Sequence, residues 1–370
     1  SAETSAVTLQ STDYLRFVPA INWNGSAPAL TVVLIDASSS VSTGAIIDAS
    51  SRDGTTGLSG ATVILSHEVV AANDAPTSLA SNVNLAAVSE DTASPAGDTV
   101  THLFASAFSD ALDALGGSSA NNFAGVAITT NSANASTQGS WQYSTDGSTW
   151  FDVSTVTTSS ALLLSTSATI RFIPVARFNG APSGLVVRLV DDSVVITFTS
   201  GATRATVDVS NDTTKSGATT AYSNSSNTVT LNTSITAVND APTSLLASVS
   251  LAAVDEDTAS PTGNTVSALF SSAFSDALDA VSGGSSANNF AGVAITTNAA
   301  DPSTQGAWQY STNGSTWYGV STVSSSSSLL LSTTAKLRFV PVAHFNGAPT
   351  GLDVRLVDNS VSTTFTSGAT

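Results

Sequence analysis

The chain has 370 residues, enough for two or three domains at about 150 residues each. Ten Lys and Arg stand against 27 Asp and Glu, and the formal charge of −17 excludes electrostatic binding to nucleic acid or an anionic membrane and points to metal cations as counter-ions. Charged residues make up 10% and apolar ones 41%, so the composition can bury a core and is not of the charge-rich disordered kind. Cys and Met are both absent. That rules out a disulfide framework, a thiolate metal site and a thiol nucleophile, and it suits a protein living outside the cell. No apolar run reaches the roughly 18 residues of a membrane span, and any targeting signal is expected outside this chain.

Self-similarity organises the rest. Gly116 to Asn131 reads GGSSANNFAGVAITTN, and Gly283 to Asn298 repeats all sixteen letters. Asn73-Asp74-Ala75-Pro76-Thr77 recurs at Asn239 to Thr243, Trp141 to Ser144 at Trp308 to Ser311, and Phe178 to Pro182 at Phe345 to Pro349, at offsets of 166, 167 and 167. Tyr14 to Pro19 matches Thr169 to Pro174 and Leu337 to Pro341. The chain therefore divides into the end of one repeat at 1–72, a complete repeat at 73–238, and a third at 239–370 that lacks its closing strands.

In chain order, Thr62 to Val70 alternates apolar and polar residues and predicts closing strands of the first repeat. Boundaries fall before Asn73 and Asn239, since each is followed by a Pro that cannot extend a sheet ladder. Val100 to Leu115 has helical spacing and predicts one short helix. There Asp110 and Asp113, which recur as Asp276 and Asp279, share one face at i and i+3, expected to be solvated although it would suit a cation. Trp141 to Val153 predicts a hairpin turning at Thr145-Asp146-Gly147-Ser148, with Asn313-Gly314 as its counterpart. Leu185 to Val190 and Val229 to Ala237 predict further strands, so the fold class is all-β, with sandwich domains in tandem. Trp141, Tyr143 and Trp150, with Trp308, Tyr310 and Trp317, are expected in the core, where outward-facing they would stack on sugars. Arg16, Arg171 and Arg338 stand between apolar strand neighbours and call for a partner carboxylate. Ser193 to Ser226 differs most between copies, and a specificity loop would be sought there.

Val-Asn-Asp-Ala-Pro-Thr at a junction, Val-x-Glu-Asp-Thr some way after it and an Arg-Leu-Val-Asp strand end resemble the cadherin-like and Ig-like tandem repeats of giant bacterial surface proteins and adhesins. That resemblance implies an elongated array of β-sandwiches with calcium at the domain junctions. Carried over residue by residue, it nominates Asp36, Asn73, Asp74 and Glu90 at the first junction and Asp191, Asn239, Asp240 and Glu256 at the second. Calcium takes about six to eight oxygens and a linker between rigid domains can gather them, whereas the plainer reading is an Asx turn before Pro. The usual linker has a further Asp where this chain has Ala71 and Ala237.

Enzymatic signatures are missing. There is no G-x-S-x-G, H-E-x-x-H or phosphate loop, and His67, His102 and His344 are replaced in other copies by Thr233, Ala268 and Arg177. The expected role is a non-enzymatic fibre, stalk or filament on a bacterial surface or in an extracellular matrix, partnered by other copies of itself. The alternative is an adhesin module that binds surface glycans or proteins. The incomplete third repeat either continues in a longer chain or is completed by residues 1–72 of a neighbouring molecule, giving a head-to-tail filament.

Overall fold

The computed structural model describes residues 3–52, 54–115 and 117–369; Ser1, Ala2, Asp53, Gly116 and Thr370 lie outside the described residues. Strand accounts for 34% of the chain and helix for 5%, so the protein is nearly all β.

The repeat at 73–238 is complete and sets the pattern. Besides the short antiparallel pair of Thr77–Ser78 with Phe108–Ser109, its strands are β1 (Asn82–Asn84), β2 (Val88–Ser89), β3 (Asp98–Thr99), β4 (Phe123–Asn131), β5 (Gly139–Ser144), β6 (Phe151–Asp152), β7 (Ala161–Ser165), β8 (Thr169–Pro174), β9 (Leu185–Asp191), β10 (Thr206–Val207), β11 (Thr228–Asn232) and β12 (Ile235–Thr236). They form a six-stranded sheet in the order β10-β7-β4-β9-β11-β1 and a four-stranded sheet in the order β3-β8-β5-β6, with β12 paired to β2 alongside. The hairpin pairs as its turn chemistry predicts, Gln142 opposite Asp152 and Tyr143 opposite Phe151, with Gly147 at φ +74°. Most ladders are antiparallel. The exceptions are β1 beside β11 and β2 beside β12, which run parallel.

One core lies between the two sheets. Val126, Ile128, Leu162, Leu164, Leu185, Val187 and Leu189 face it from the larger sheet, and Trp141, Tyr143, Ile170 and Phe172 from the smaller. Strand alternation sends the intervening residues outward, yet Ala127, Leu163 and Val190 are buried there too. They are covered by Phe198, Val207, Val209 and Tyr222, so Ser193 to Ser226 is in large part a lid on the outer face of the sheet rather than a free specificity loop. Gly125 explains part of the unvaried FAGVAITT. A Cβ there would come within 2.2 Å of the Leu164 carbonyl oxygen at a bulge in β4.

Two sequence expectations need correction. The helix is shorter than its spacing suggests: Thr99 caps Val100–Phe104, a 3₁₀ turn covers Ala105–Ala107, and Phe108–Ser109 is already a strand paired with Thr77–Ser78. Asp110 and Asp113 thus lie in the turn beyond it and are buried, not on a solvated helix face, and Asp276 and Asp279 repeat this. Arg171 has no carboxylate partner among the described residues either. Its guanidinium donates to Gln142 Oε1 at 2.8 and 3.0 Å, to Ser94 Oγ and to the Pro95 carbonyl, and stacks 3.9 Å from the Trp150 ring centroid. Arg338 reproduces this with Gln309, Ser260, Pro261 and Trp317. A planar cation can be satisfied by amide, carbonyl and π-face without an opposite charge.

In the third repeat a three-stranded sheet (Leu329–Ser332, Phe290–Asn298, Leu352–Asp358) faces a four-stranded one. In the first, Leu30–Ile35 pairs with Leu58–Leu65 and Gly25–Ser26 with Glu68–Val69, leaving Tyr14, Ile21 and Val70 exposed. Among the described residues no helix is long and apolar enough to cross a membrane.

Candidate functional site

Chemistry-bearing side chains gather where one repeat meets the next. Each junction has two parts, a latch and a carboxylate nest.

The latch is the aromatic-Asn-Gly turn. Two residues before each latch Asn the chain takes a left-handed turn, at Asn22, Arg177 and His344 with φ of 59°, 64° and 64°, which presents the Asn side chain outward from its own repeat. Asn179 is buried, and its Nδ2 donates to Ser285 Oγ of the following repeat and to Glu90 Oε2 of its own, both at 2.9 Å. Its Oδ1 accepts from the Ser285 backbone N–H at 2.6 Å. Gly284 is required by this approach, because a Cβ there would stand 2.1 Å from Asn179 Oδ1. Asn24 grips the preceding junction alike, donating to Ser118 Oγ at 2.9 Å and to the Leu115 carbonyl at 3.1 Å. Around the second junction Val281 packs on the core of the preceding repeat and Arg177 Nε lies 3.5 Å from Asp240 Oδ2. Among the described residues the side chain of Asn346, the third latch residue, bonds only to Glu256 Oε2, at 3.3 Å, and a Cβ on Gly347 would meet nothing within 4 Å.

The nest adjoins the latch, since Ser118 Oγ donates to the Asp113 carbonyl. Asp110 and Asp113 come from the turn after Phe108–Ser109, Asp191 from the end of β9, and Asn73, Asp74 and Asn121 from flanking loops. Asp113 accepts from the Asp74 backbone N–H and from Asn121 Nδ2, each at 2.7 Å, and Asn121 Nδ2 also donates to Asn73 Oδ1 at 2.8 Å. The Asn121 backbone N–H donates to Asp110 Oδ2 at 2.6 Å. Asp191 Oδ1 accepts from the Ser193 backbone N–H at 2.9 Å in an Asx turn. These bonds leave Asp110 Oδ1 and Asp191 Oδ2 buried with no partner among the described residues. Burial, with the charges of Asp113 and Asp191 added, pushes the Asp110 carboxyl up to about 6. Burial and the Asp113 charge raise Asp74, and burial foremost raises Asp191. The third repeat rebuilds the nest: Asp279 accepts from the Asp240 N–H at 2.8 Å and from Asn288 Nδ2 at 2.9 Å, Asn288 also donates to Asn239 Oδ1, and Asp276 Oδ1 is again buried without a partner.

The two quartets nominated from the resemblance are not brought together as such. Glu90 belongs to the second junction, where its oxygens accept from the Val238 N–H and from Asn179, and Asp191 belongs to the first, beside Asn73. The cause is strand direction. The chain from Asn73 to Glu90 runs parallel to β11 and β12 for the length of the repeat and ends beside Val238, whereas β9, antiparallel to β11, brings Asp191 back to the start. Asp36 is an exposed Asx-turn residue bonded to Ser38, and Glu256 pairs with Asn346 at the end of the third repeat. Among the described residues no three His, Cys, Asp or Glu side chains already form a group that could hold a metal ion. Sequence reasoning missed Asn121, Asn288 and the latch role of Asn179, although Asn121 and Asn288 lie in the sixteen repeated letters. Comparison with known families, curated proteins and solved structures finds no match.

Proposed function

We propose that the chain is a non-enzymatic structural segment of a bacterial cell surface or extracellular matrix, in which Ig-like or cadherin-like sandwiches stack end to end as a fibre, stalk or filament supporting adhesion. The observation that carries this reading is the repeated latch: the same Asn, two repeats running, grips the same Gly-Ser loop of its neighbour through the same atoms. A contact whose two faces differ and recur in every unit propagates without closing, and so makes length. Absence of the oxidisable Cys and Met and the acidic charge of −17 accord with an extracellular location. The aromatic residues favour the fibre reading over the glycan-binding alternative, because Trp141, Tyr143 and Tyr310 are buried in the core while the half-buried Trp150, Trp317 and Trp308 are engaged by Arg171, Arg338 and Phe339.

Small-angle scattering tests the reading. The chain should scatter as one extended, stiff body, and Asn179→Ala with Gly284→Val should turn it into flexibly joined parts. A compact or already flexible wild-type profile would overturn the proposal.

A further inference from the structure

The nests hold an electrostatic problem that the protein does not solve with its own side chains. Asp110, Asp191 and Asp276 are 5%, 0% and 4% exposed. Each accepts a hydrogen bond on one oxygen while the other finds no donor among the described residues; the neighbouring Asp113 and Asp279, by contrast, have their oxygens taken by backbone and side-chain amides. Among the described residues no Arg, Lys or His forms an ion pair with Asp110, Asp113, Asp191, Asp276 or Asp279. A buried carboxylate without donor or counter-ion is among the costlier arrangements in a protein interior and calls for a charge partner from outside.

We propose that each nest binds one hard divalent cation of the calcium type, with Asp110 Oδ1 and Asp191 Oδ2 as its first ligands in the middle repeat and Asp276 Oδ1 in the third. The ion is placed within a repeat, at the foot of the latch, rather than across the linker as the resemblance implies. Three residues of the nominated junction sets, Asn73, Asp74 and Asp191, adjoin this position in the middle repeat, and Glu90 stands outside it with both oxygens bonded. The donors are all oxygen, with no imidazole or thiolate, which favours calcium over zinc. No three carboxylates yet enclose one point, so the ion draws its remaining oxygens from Asp113, the Asn73 amide and water, within the irregular coordination calcium tolerates. Asn121 and Asn288 act as positioning residues: their amides hold Asp113 and Asp279 in place and their backbone N–H groups take one oxygen of Asp110 and Asp276.

Calorimetric titration of the chelator-stripped full chain with calcium chloride at pH 7.5, with thermal melts alongside, tests the assignment. Two ions should bind per chain and the melting temperature should rise with calcium, as it must for a ligand of the native state. Asp110→Asn combined with Asp276→Asn should abolish both responses while melting no lower than the wild type without calcium, since each change removes an unpartnered buried charge. Wild-type chain that neither takes up heat-producing calcium nor shifts its melt in millimolar calcium would overturn the proposal. So would a double variant, folded by circular dichroism, that binds two ions as before. Should the double variant not fold, the wild-type titration alone decides. The fibre reading is untouched by either negative result, because the latch bonds contain no ion.

Discussion

The middle and third repeats carry closely similar strand sequences and bury them differently. Trp141 is fully buried and Trp308 only half; Leu185, Val187 and Leu189 are inaccessible, whereas Leu352, Val354 and Leu356 are half-exposed. Arg188 is 4% exposed, donating to the Ser223 carbonyl 3.1 Å away, while its counterpart Arg355 is open to solvent. Residues 82–84 form a strand because β11 lies beside them, and the matching residues 248–250 form none. Periodicity decides which side chains can face inward, but the ladder and the burial come from a partner strand about 150 residues away in sequence.

The comparison can be broken most decisively at the tryptophans. Trp141→Ala should destabilise its repeat by about 3–5 kcal/mol, and Trp308→Ala by roughly half as much, because less surface is lost from water. Chemical denaturation followed by intrinsic fluorescence reads both; equal losses would mean the two cores are equally closed in solution.

Asp110 gives the next effect. Its carboxyl titrates near 6 in the folded chain against an ordinary 3.8, so the folded state holds its proton more tightly than the unfolded state does. The contribution of this group is therefore most favourable below pH 3.8 and is lost as pH rises through about 6. Without calcium, Asp110→Asn should match the wild type near pH 3.5 and exceed it at pH 7 by about 1–3 kcal/mol. Urea titrations across this range should lose that slope in the variant.

The smallest effect separates an occupied latch from an open one. Asn179→Ala should cost about 1–2 kcal/mol by leaving Glu90 and Ser285 short of partners, and Asn346→Ala under about 0.5 kcal/mol. Thermal melts of the two variants should differ in that order, and equal melts would show that the Asn179 contact does not couple the repeats.

Much of the fold was legible in the letters. The repeat period, the hairpin at Asp146-Gly147 and the alternation of Leu185, Val187 and Leu189 all survive in the structure, because turn chemistry and pleat act over a few residues. The sites were legible as residues but not as groups. Asn73, Asp74, Asp191, Asn239 and Asp240 do line the junctions, yet Glu90 and Asp191 fall at opposite ends from those assigned, since a strand's direction leaves no trace in composition or spacing. Asp110 and Asp113 were seen as an acidic pair and expected in solvent. Nothing local reveals that Asn121, Asn73 and Asp191 close over them, for those contacts are made by the tertiary fold. Arg171 likewise finds Gln142 and Trp150 in place of a carboxylate, a choice available only once β8 lies against β5.

The parallel seam that β1 and β2 make with β11 and β12 in the middle repeat has a mechanical consequence. Tension along the chain pulls the leading end of β1 one way and the trailing end of β12 the other. Because β1 and β2 run in the same direction as β11 and β12, that pull slides the strands along each other and strains their hydrogen bonds side by side. A terminal antiparallel hairpin would instead open one bond after another. Resistance to such forced opening is a matter of unfolding rate rather than of equilibrium stability. The middle repeat is thus strung so that stretching works against its seam in shear.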